Sequence, residues 1–283
     1  MIGVTAASGQ LGKLVVAQLV AAGAADRTVA IVRDPAKMAG SGVTVRAGDY
    51  GDVAGLTAAL AGVDRLLLIS GSELGQRAAQ HANVITAAKA AGVRHVVYTS
   101  LLRADSSTIQ PLAEEHAATE ALLKASGLDY TILRNGWYTE NFTGQIGGVL
   151  AGGGVIGSSG QGRIASATRA DYAAAAVAVL TGSDHVGKTY ELAGDAAWTL
   201  AEYAAEIARQ TGRDIAYHDL PQAVYAEKLK GFGLPADFAD LLAAWEVEFS
   251  KGALESSDHT LSALIGRKTT PMAETVAAAL AAQ

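Results

Sequence analysis

Residues 1–12 read Met1-Ile2-Gly3-Val4-Thr5-Ala6-Ala7-Ser8-Gly9-Gln10-Leu11-Gly12 and run straight into an apolar helical pattern at Leu14, Val15, Leu19 and Val20. A short apolar strand, a turn with Gly9 and Gly12 three apart, and a helix start together form a seat for a dinucleotide pyrophosphate. The unpaired N–H groups of the first helical turn and the positive end of the helix dipole face the phosphates. Gly12 lets the helix pack closely on the strand. The first of the usual three glycines is Ala6 here, which a negative φ would accommodate.

Outward from this turn, apolar runs alternate with helix-length segments. Strands are expected at Ile2–Thr5, Thr28–Val32, Thr44–Ala47, Arg65–Ile69, His95–Thr99 and Tyr130–Arg134, with helices near Leu11–Ala22, Val53–Leu60, Ala78–Ala91 and Leu112–Ser126. β-branched strands between amphipathic helices indicate βαβ units. The fold class is therefore α/β: a Rossmann-type doubly wound parallel sheet that binds ligands at the carboxyl ends of its strands.

The pattern changes after Arg134. Residues 144–162 are glycine-rich and read as loops or short elements, and Gly157-Ser158-Ser159-Gly160-Gln161-Gly162 lacks a convincing strand before it. A helix is expected at Asp171–Leu180 and a late strand at Thr189–Leu192. Thr199 and Glu202 form a capping box for Leu200–Thr211. Further helices are expected at Gln222–Lys230, Ala236–Trp245 and Met272–Ala282, the last with Pro271 in its first turn. Residues 1–134, with 164–195 returning to them, would form the NADP-binding domain. Residues 135–163 and 196–283 would form a smaller, mostly helical substrate lobe.

A chain of 283 residues with 50% hydrophobic and 18% charged residues can bury a large core. A net charge of −6 without Lys/Arg runs argues against nucleic acid. The absence of cysteine excludes disulfides and thiolate chemistry. The six histidines show no ligand spacing, so no metal is expected. No apolar run reaches a membrane span, and the first strand starts at Ile2, leaving no room for a signal peptide; a cytoplasmic location is the expectation.

Arg33 ends the second strand, where an arginine can pair with a 2′-phosphate and favour NADP over NAD. Lys37 reads as a surface lysine. Asp49 stands where a carboxylate can meet an adenine amino group or simply start a loop. Ser70-Gly71-Ser72 follows the fourth strand with side chains small enough for the cofactor to pass. No tyrosine is followed four residues later by lysine, which disfavours ordinary alcohol dehydrogenation. His116 and Glu120 occupy the helix where such a pair would lie, at i,i+4 spacing; a proton relay is the functional reading, and a surface or helix-packing pair is the one favoured.

Hydride transfer to a quinone tolerates that loss, because the product gains aromaticity and donors near the developing oxyanion suffice. Arg134-Asn135-Gly136-Trp137-Tyr138-Thr139-Glu140-Asn141 leaves strand six toward such a site. Gly136 permits close approach to the nicotinamide, Trp137 and Tyr138 offer flat faces, and Asn141 offers an amide donor. Core packing is the competing account of the two rings, expected for at least one of them.

Gly9-Gln10-Leu11-Gly12, Ala30-Ile31-Val32-Arg33, Leu67-Leu68-Ile69-Ser70, Tyr98-Thr99-Ser100-Leu101-Leu102 and Arg134-Asn135-Gly136-Trp137-Tyr138 resemble the NmrA-like atypical short-chain dehydrogenase/reductase family. The likeness continues through Ile164–Tyr172 and Tyr190–Asp195. It implies NADPH bound by Ala6, Ala7, Ser8, Gly9, Gln10, Leu11, Arg33, Ser70, Gly71, Ser72, Gly136, Trp137, Tyr138, Thr139, Glu140, Asn141 and Arg169. Catalysis would fall to Asn141 and Tyr138, with a quinone or similar flat molecule as acceptor. Reduction of triphenylmethane-type dyes and a non-catalytic NADP(H) sensor are the alternatives. A homodimer is left open.

Overall fold

In a computed structural model of the chain, residues 1–283 are described. Nine strands are present: β1 (Ile2–Val4), β2 (Thr28–Val32), β3 (Thr44–Ala47), β4 (Arg65–Leu68), β5 (His95–Leu101), β6 (Asp129–Asn135), β7 (Gly154–Gly157), β8 (Thr189–Leu192) and β9 (Ala216–Asp219). The helices of the first half and centre are α1 (Gln10–Ala21), α2 (Val53–Ala59), α3 (Arg77–Ala90), α4 (Leu112–Ala125), α5 (Glu140–Thr143), α6 (Ile146–Gly152) and α7 (Arg169–Thr181). They are followed by α8 (Leu200–Thr211), α9 (Gln222–Gly231), α10 (Ala236–Ser250), α11 (Thr260–Ile265) and α12 (Met272–Ala281).

Seven strands form one parallel sheet in the order β3-β2-β1-β4-β5-β6-β8, with the order reversing between β1 and β4. This is the doubly wound arrangement expected from the alternation. Side chains alternate across it. Leu67 and Val97 join an apolar cluster with Val15, Leu19, Ala176 and Val179 of α1 and α7. Leu66, Leu68, Val96 and Tyr98 join another with Leu56, Val84 and Leu123 of α2, α3 and α4. Both faces are covered, which is why the strands read as continuous apolar runs.

A third cluster, built on Ile146, Ile164, Trp198, Tyr203, Ile207, Trp245 and Phe249, forms the core of the lobe. α8 starts on the Thr199–Glu202 capping box, and α7 on a second one, Thr168–Asp171. The glycine-rich stretch 157–162 does follow a strand, contrary to expectation. β7 pairs in parallel with β9, remote from the main sheet. Neither β9 nor α11 was anticipated. α11 packs on α7 and β8, and its Leu261 belongs to the cluster on that face of the sheet.

Candidate active site

Parallel pairing brings the β1–α1 turn and the segments after β2, β4 and β6 to one edge of the sheet. In the turn, the Gly9 N–H donates to the Ala6 carbonyl at 2.9 Å and the Ala7 N–H to the Ile31 carbonyl at 3.3 Å. Gly9 is the N-cap of α1 and no side chain caps that helix. The amides at Ser8, Gln10 and Leu11 therefore form a helix start open to an anion. Leu11 turns into the core while Gly9 and Gln10 stay exposed. A Cβ on Gly12 would stand 2.7 Å from Ala7 Cα, so the close helix–strand approach requires glycine there.

Ala6 departs from expectation. Its φ is +46°, in the left-handed region. The turn keeps the geometry that glycine ordinarily supplies, at a steric cost from the Ala6 Cβ.

Arg33 projects exposed from the end of β2, and its guanidinium lies 3.8 Å from Glu73 in the loop after β4. Asp49 closes its own loop, accepting from the Gly51 N–H at 2.7 Å. Lys37 is a surface residue.

Ser70 and Gly71 are held from beneath, while Ser72 is exposed. The Ser70 N–H donates to Thr99 Oγ1 at 2.9 Å and the Gly71 N–H to His81 Nε2 at 2.9 Å. Arg77 Nε donates to the Gly71 carbonyl at 2.9 Å and pairs with Glu115. Burial, reinforced by the Arg77 charge, pushes His81 down to about 3. It stays neutral, so Nε2 can accept from Gly71 while Nδ1 meets Thr119 Oγ1 at 3.0 Å.

After β6, Gly136 donates to the Leu192 carbonyl at 2.8 Å. The Tyr172 hydroxyl lies 3.0 Å from where a Gly136 Cβ would be, so the close approach there is to the protein itself. Trp137 meets Trp245 and Phe249 edge-on, with ring centroids 5.9 and 5.2 Å apart. Tyr138 packs edge-on to Tyr172 at 5.4 Å, and the Arg169 guanidinium covers its ring at 4.5 Å. Both rings are packed as core requires. Burial raises the Tyr138 hydroxyl above its ordinary value, so it keeps its proton.

Thr139 Oγ1 meets Ser166 Oγ at 2.8 Å. The Glu140 carboxylate accepts from the Arg169 N–H at 2.9 Å, and Arg169 Nη2 donates to Asn141 Oδ1 at 2.7 Å. With Oδ1 occupied, the Asn141 NH₂ is the group left to donate. Arg169 is thus bonded to the strip after β6.

His116 and Glu120 do not pair. His116 Nδ1 meets the Tyr98 hydroxyl at 2.7 Å, and Glu120 receives Arg134 Nε and Nη2 at 2.9 and 2.8 Å and Ser100 Oγ at 2.7 Å. Arg134 also pairs with Glu191 at 2.8 Å and Asp105 at 3.0 Å. Burial pushes the Glu120 carboxyl up, but the bonds from Arg134 and Ser100 outweigh it and hold it low. This network at the carboxyl ends of β5 and β6 escaped the sequence reading. Its signal was an arginine inside an apolar strand, which demands a buried carboxylate.

No group of His, Cys, Asp or Glu is arranged to hold a metal. A recess of about 230 Å³ beside Met1, Arg27, Asp64 and Arg65 lies at the amino ends of the strands, opposite this edge.

Residues 6–183 match the NAD(P)H-binding family. Quinone oxidoreductase 2 of Escherichia coli strain K12 is 54% identical over 279 residues, covering 98% of this chain and 97% of that protein. The crystal structure of the NADPH-dependent quinone oxidoreductase from Escherichia coli in complex with NADPH superposes with a TM-score of 0.95 at 54% identity, over 99% of this chain and 100% of that one. Triphenylmethane reductase of Citrobacter sp., complexed with NADP(H), superposes with a TM-score of 0.94 at 38% identity, over 99% and 100%.

Proposed function

The chain belongs to the NAD(P)H-binding family, and from that premise we propose that it is an NADPH-dependent oxidoreductase that reduces quinones. The uncapped start of α1 holds the pyrophosphate, Arg33 pairs with the 2′-phosphate, and Ser70–Ser72 line the path toward the nicotinamide. The strip Gly136–Asn141, braced by Arg169, faces the reacting ring. When bound, NADPH supplies a hydride from nicotinamide C4.

The residues of this chain supply the rest. The Asn141 NH₂, left as the donor because Arg169 occupies Oδ1, donates to the quinone oxygen on which negative charge develops. Tyr138 keeps its proton and is the second donor toward the same oxygen. A proton from water completes the hydroquinone, so no Tyr–Lys pair is needed. The observation that supports this reading is the Arg169–Asn141 bond, because it leaves the amide NH₂ as the group to donate.

Steady-state NADPH oxidation with benzoquinone, menadione and a triphenylmethane dye tests it. Turnover with the quinones is expected. Turnover with the dye alone would favour the dye-reductase reading, and tight NADPH binding with no turnover on any acceptor would leave a sensor. No helix is long and apolar enough to cross a membrane; a cytoplasmic location remains part of the proposal.

A further inference from the structure

The stretch Gly157–Gly162 takes no part in this site, yet its amides are already taken. The Ser158 N–H donates to Glu246 Oε2 at 2.6 Å, the Ser159 N–H to Tyr217 Oη at 3.1 Å and the Gly160 N–H to Asp219 Oδ1 at 3.0 Å. Carboxylates and a phenol of the protein occupy the places an anion would need. The glycines serve packing instead. A Cβ on Gly157 would lie 2.5 Å from Glu246 Oε2 and 2.7 Å from Leu200 Cδ1, and one on Gly162 would lie 2.7 Å from the Phe249 carbonyl carbon. The loop therefore lies flush along α10 at both ends.

Glu246 is buried, and its second oxygen accepts from the Tyr225 hydroxyl of α9 at 2.8 Å. One carboxyl thus ties α10 to α9 and to the loop after β7. Its neighbours on α10, Trp245 and Phe249, are the two rings packed on Trp137, and Trp245 Nε1 is pinned to the Gln110 carbonyl at 2.8 Å. Beyond the loop the chain enters residues 164–168, where Ala167 bridges to Tyr138. Both routes end on the strip after β6.

We propose that Glu246 is a positioning residue for the acceptor half of the site, seating α10 so that Trp245 and Phe249 fix Trp137, and that ionisation of Glu246 loosens this seat. The groups facing it are the Ser158 amide from the loop, Tyr225 from α9, and Asp219 with Tyr217 from β9. No lysine or arginine bonds to it. Burial, with a smaller push from Asp219, raises its carboxyl to about 7 against the bonds from Ser158 and Tyr225. As a neutral acid it keeps both bonds, since the Tyr225 hydroxyl can accept as well as donate. Above that pH a buried negative charge stands beside Asp219 without a counter-ion, which favours arrangements that admit water.

The test follows tryptophan emission and the KM values for menadione and NADPH from pH 6 to 8.5, in wild type and Glu246→Gln. Its kinetic arm rests on the quinone reading; its emission arm does not. The wild-type emission should change with a midpoint near 7. The menadione KM should rise severalfold over the same range while the NADPH KM stays flat. Glu246→Gln should hold both readouts at their low-pH values. Asp219→Asn should move the midpoint down and Tyr225→Phe should move it up, which keeps the test alive if the glutamine variant does not fold. A midpoint unchanged in Glu246→Gln, or equal movement of both KM values, overturns the proposal. An emission midpoint near 7 with no menadione turnover supports the seat and overturns the quinone reading instead.

Discussion

Ala6 carries a backbone conformation that disfavours its own side chain. At φ +46° an L-residue is strained by roughly 1–2 kcal/mol, and glycine would remove that strain while losing about 0.4–1 kcal/mol to the greater freedom of the unfolded chain. Ala6→Gly is therefore expected to raise the unfolding free energy by between about 0 and about 1.6 kcal/mol. Its larger effect should be tighter NADPH binding, because the methyl group sits in the β1–α1 turn; titration calorimetry checks the binding and urea unfolding the stability. Arg33→Ala should weaken NADPH far more than NADH. Equal losses would remove Arg33 from the 2′-phosphate. Asn141→Ala should lower turnover on quinones by about 10²-fold, the usual cost of one oxyanion donor, with little change in NADPH affinity. Retained turnover would show that Asn141 is not the donor. At this scale the sequence identified which residues line the edge of the sheet, but not their bonds. Nothing in the string reveals that Arg169 takes the Asn141 oxygen, because the two lie 28 positions apart and meet only through the return of residues 164–169.

Among elements, β5, β6 and β8 are cross-linked by Arg134, which lies opposite Glu191 in the sheet register and reaches back to Glu120 on α4. The Arg134–Glu120 pair is buried, so removing Arg134 leaves the Glu120 charge uncompensated. Arg134→Leu is expected to cost about 3–5 kcal/mol and lower the melting temperature by on the order of 10 °C. A thermal shift of only a degree or two would mean the carboxylates find water instead. The inner strands of the main sheet were legible because they are buried on both faces, the half-exposed edge strands β3 and β8 through their place in the alternation, and α8 through its capping box. β9 was not. Its four residues, Ala216-Tyr217-His218-Asp219, are mostly exposed and carry no apolar alternation, and it exists because it pairs with a strand some 60 residues upstream. β7 was hidden by its own glycines, and α11 by its brevity.

For the molecule as a whole, buried titratable groups pull stability in opposite directions with pH. His81 and His116 are kept neutral by burial, with Arg77 adding to the effect. The unfolded chain takes up their protons below about 6.5, so the stability they contribute is present above that pH and is lost as the pH falls below it, down to about 3 for His81. Glu246 acts oppositely. Its raised value means stability declines as the pH rises from the ordinary carboxylate range to about 7, by up to about 3 kcal/mol. Two strongly shifted histidines outweigh one glutamate, so the unfolding free energy should fall on acidification from pH 6.5 to 4.5. A urea series across that range measures it, and a rising value would contradict the assignment. Glu246→Gln should steepen the acid-side loss and stabilise the protein at pH 8.

The chain crosses between sheet and lobe repeatedly. It leaves after β6, returns through residues 164–168, leaves again after β8, comes back as α11, and departs once more for α12. Asp171 fastens the last return, accepting from the Thr270 N–H at 3.0 Å and pairing with Arg267 at 2.7 Å. With so many covalent passages, neither half can detach while the other stays intact. Calorimetry should record a single cooperative transition. Limited proteolysis should yield either whole chain or small fragments, with no surviving lobe.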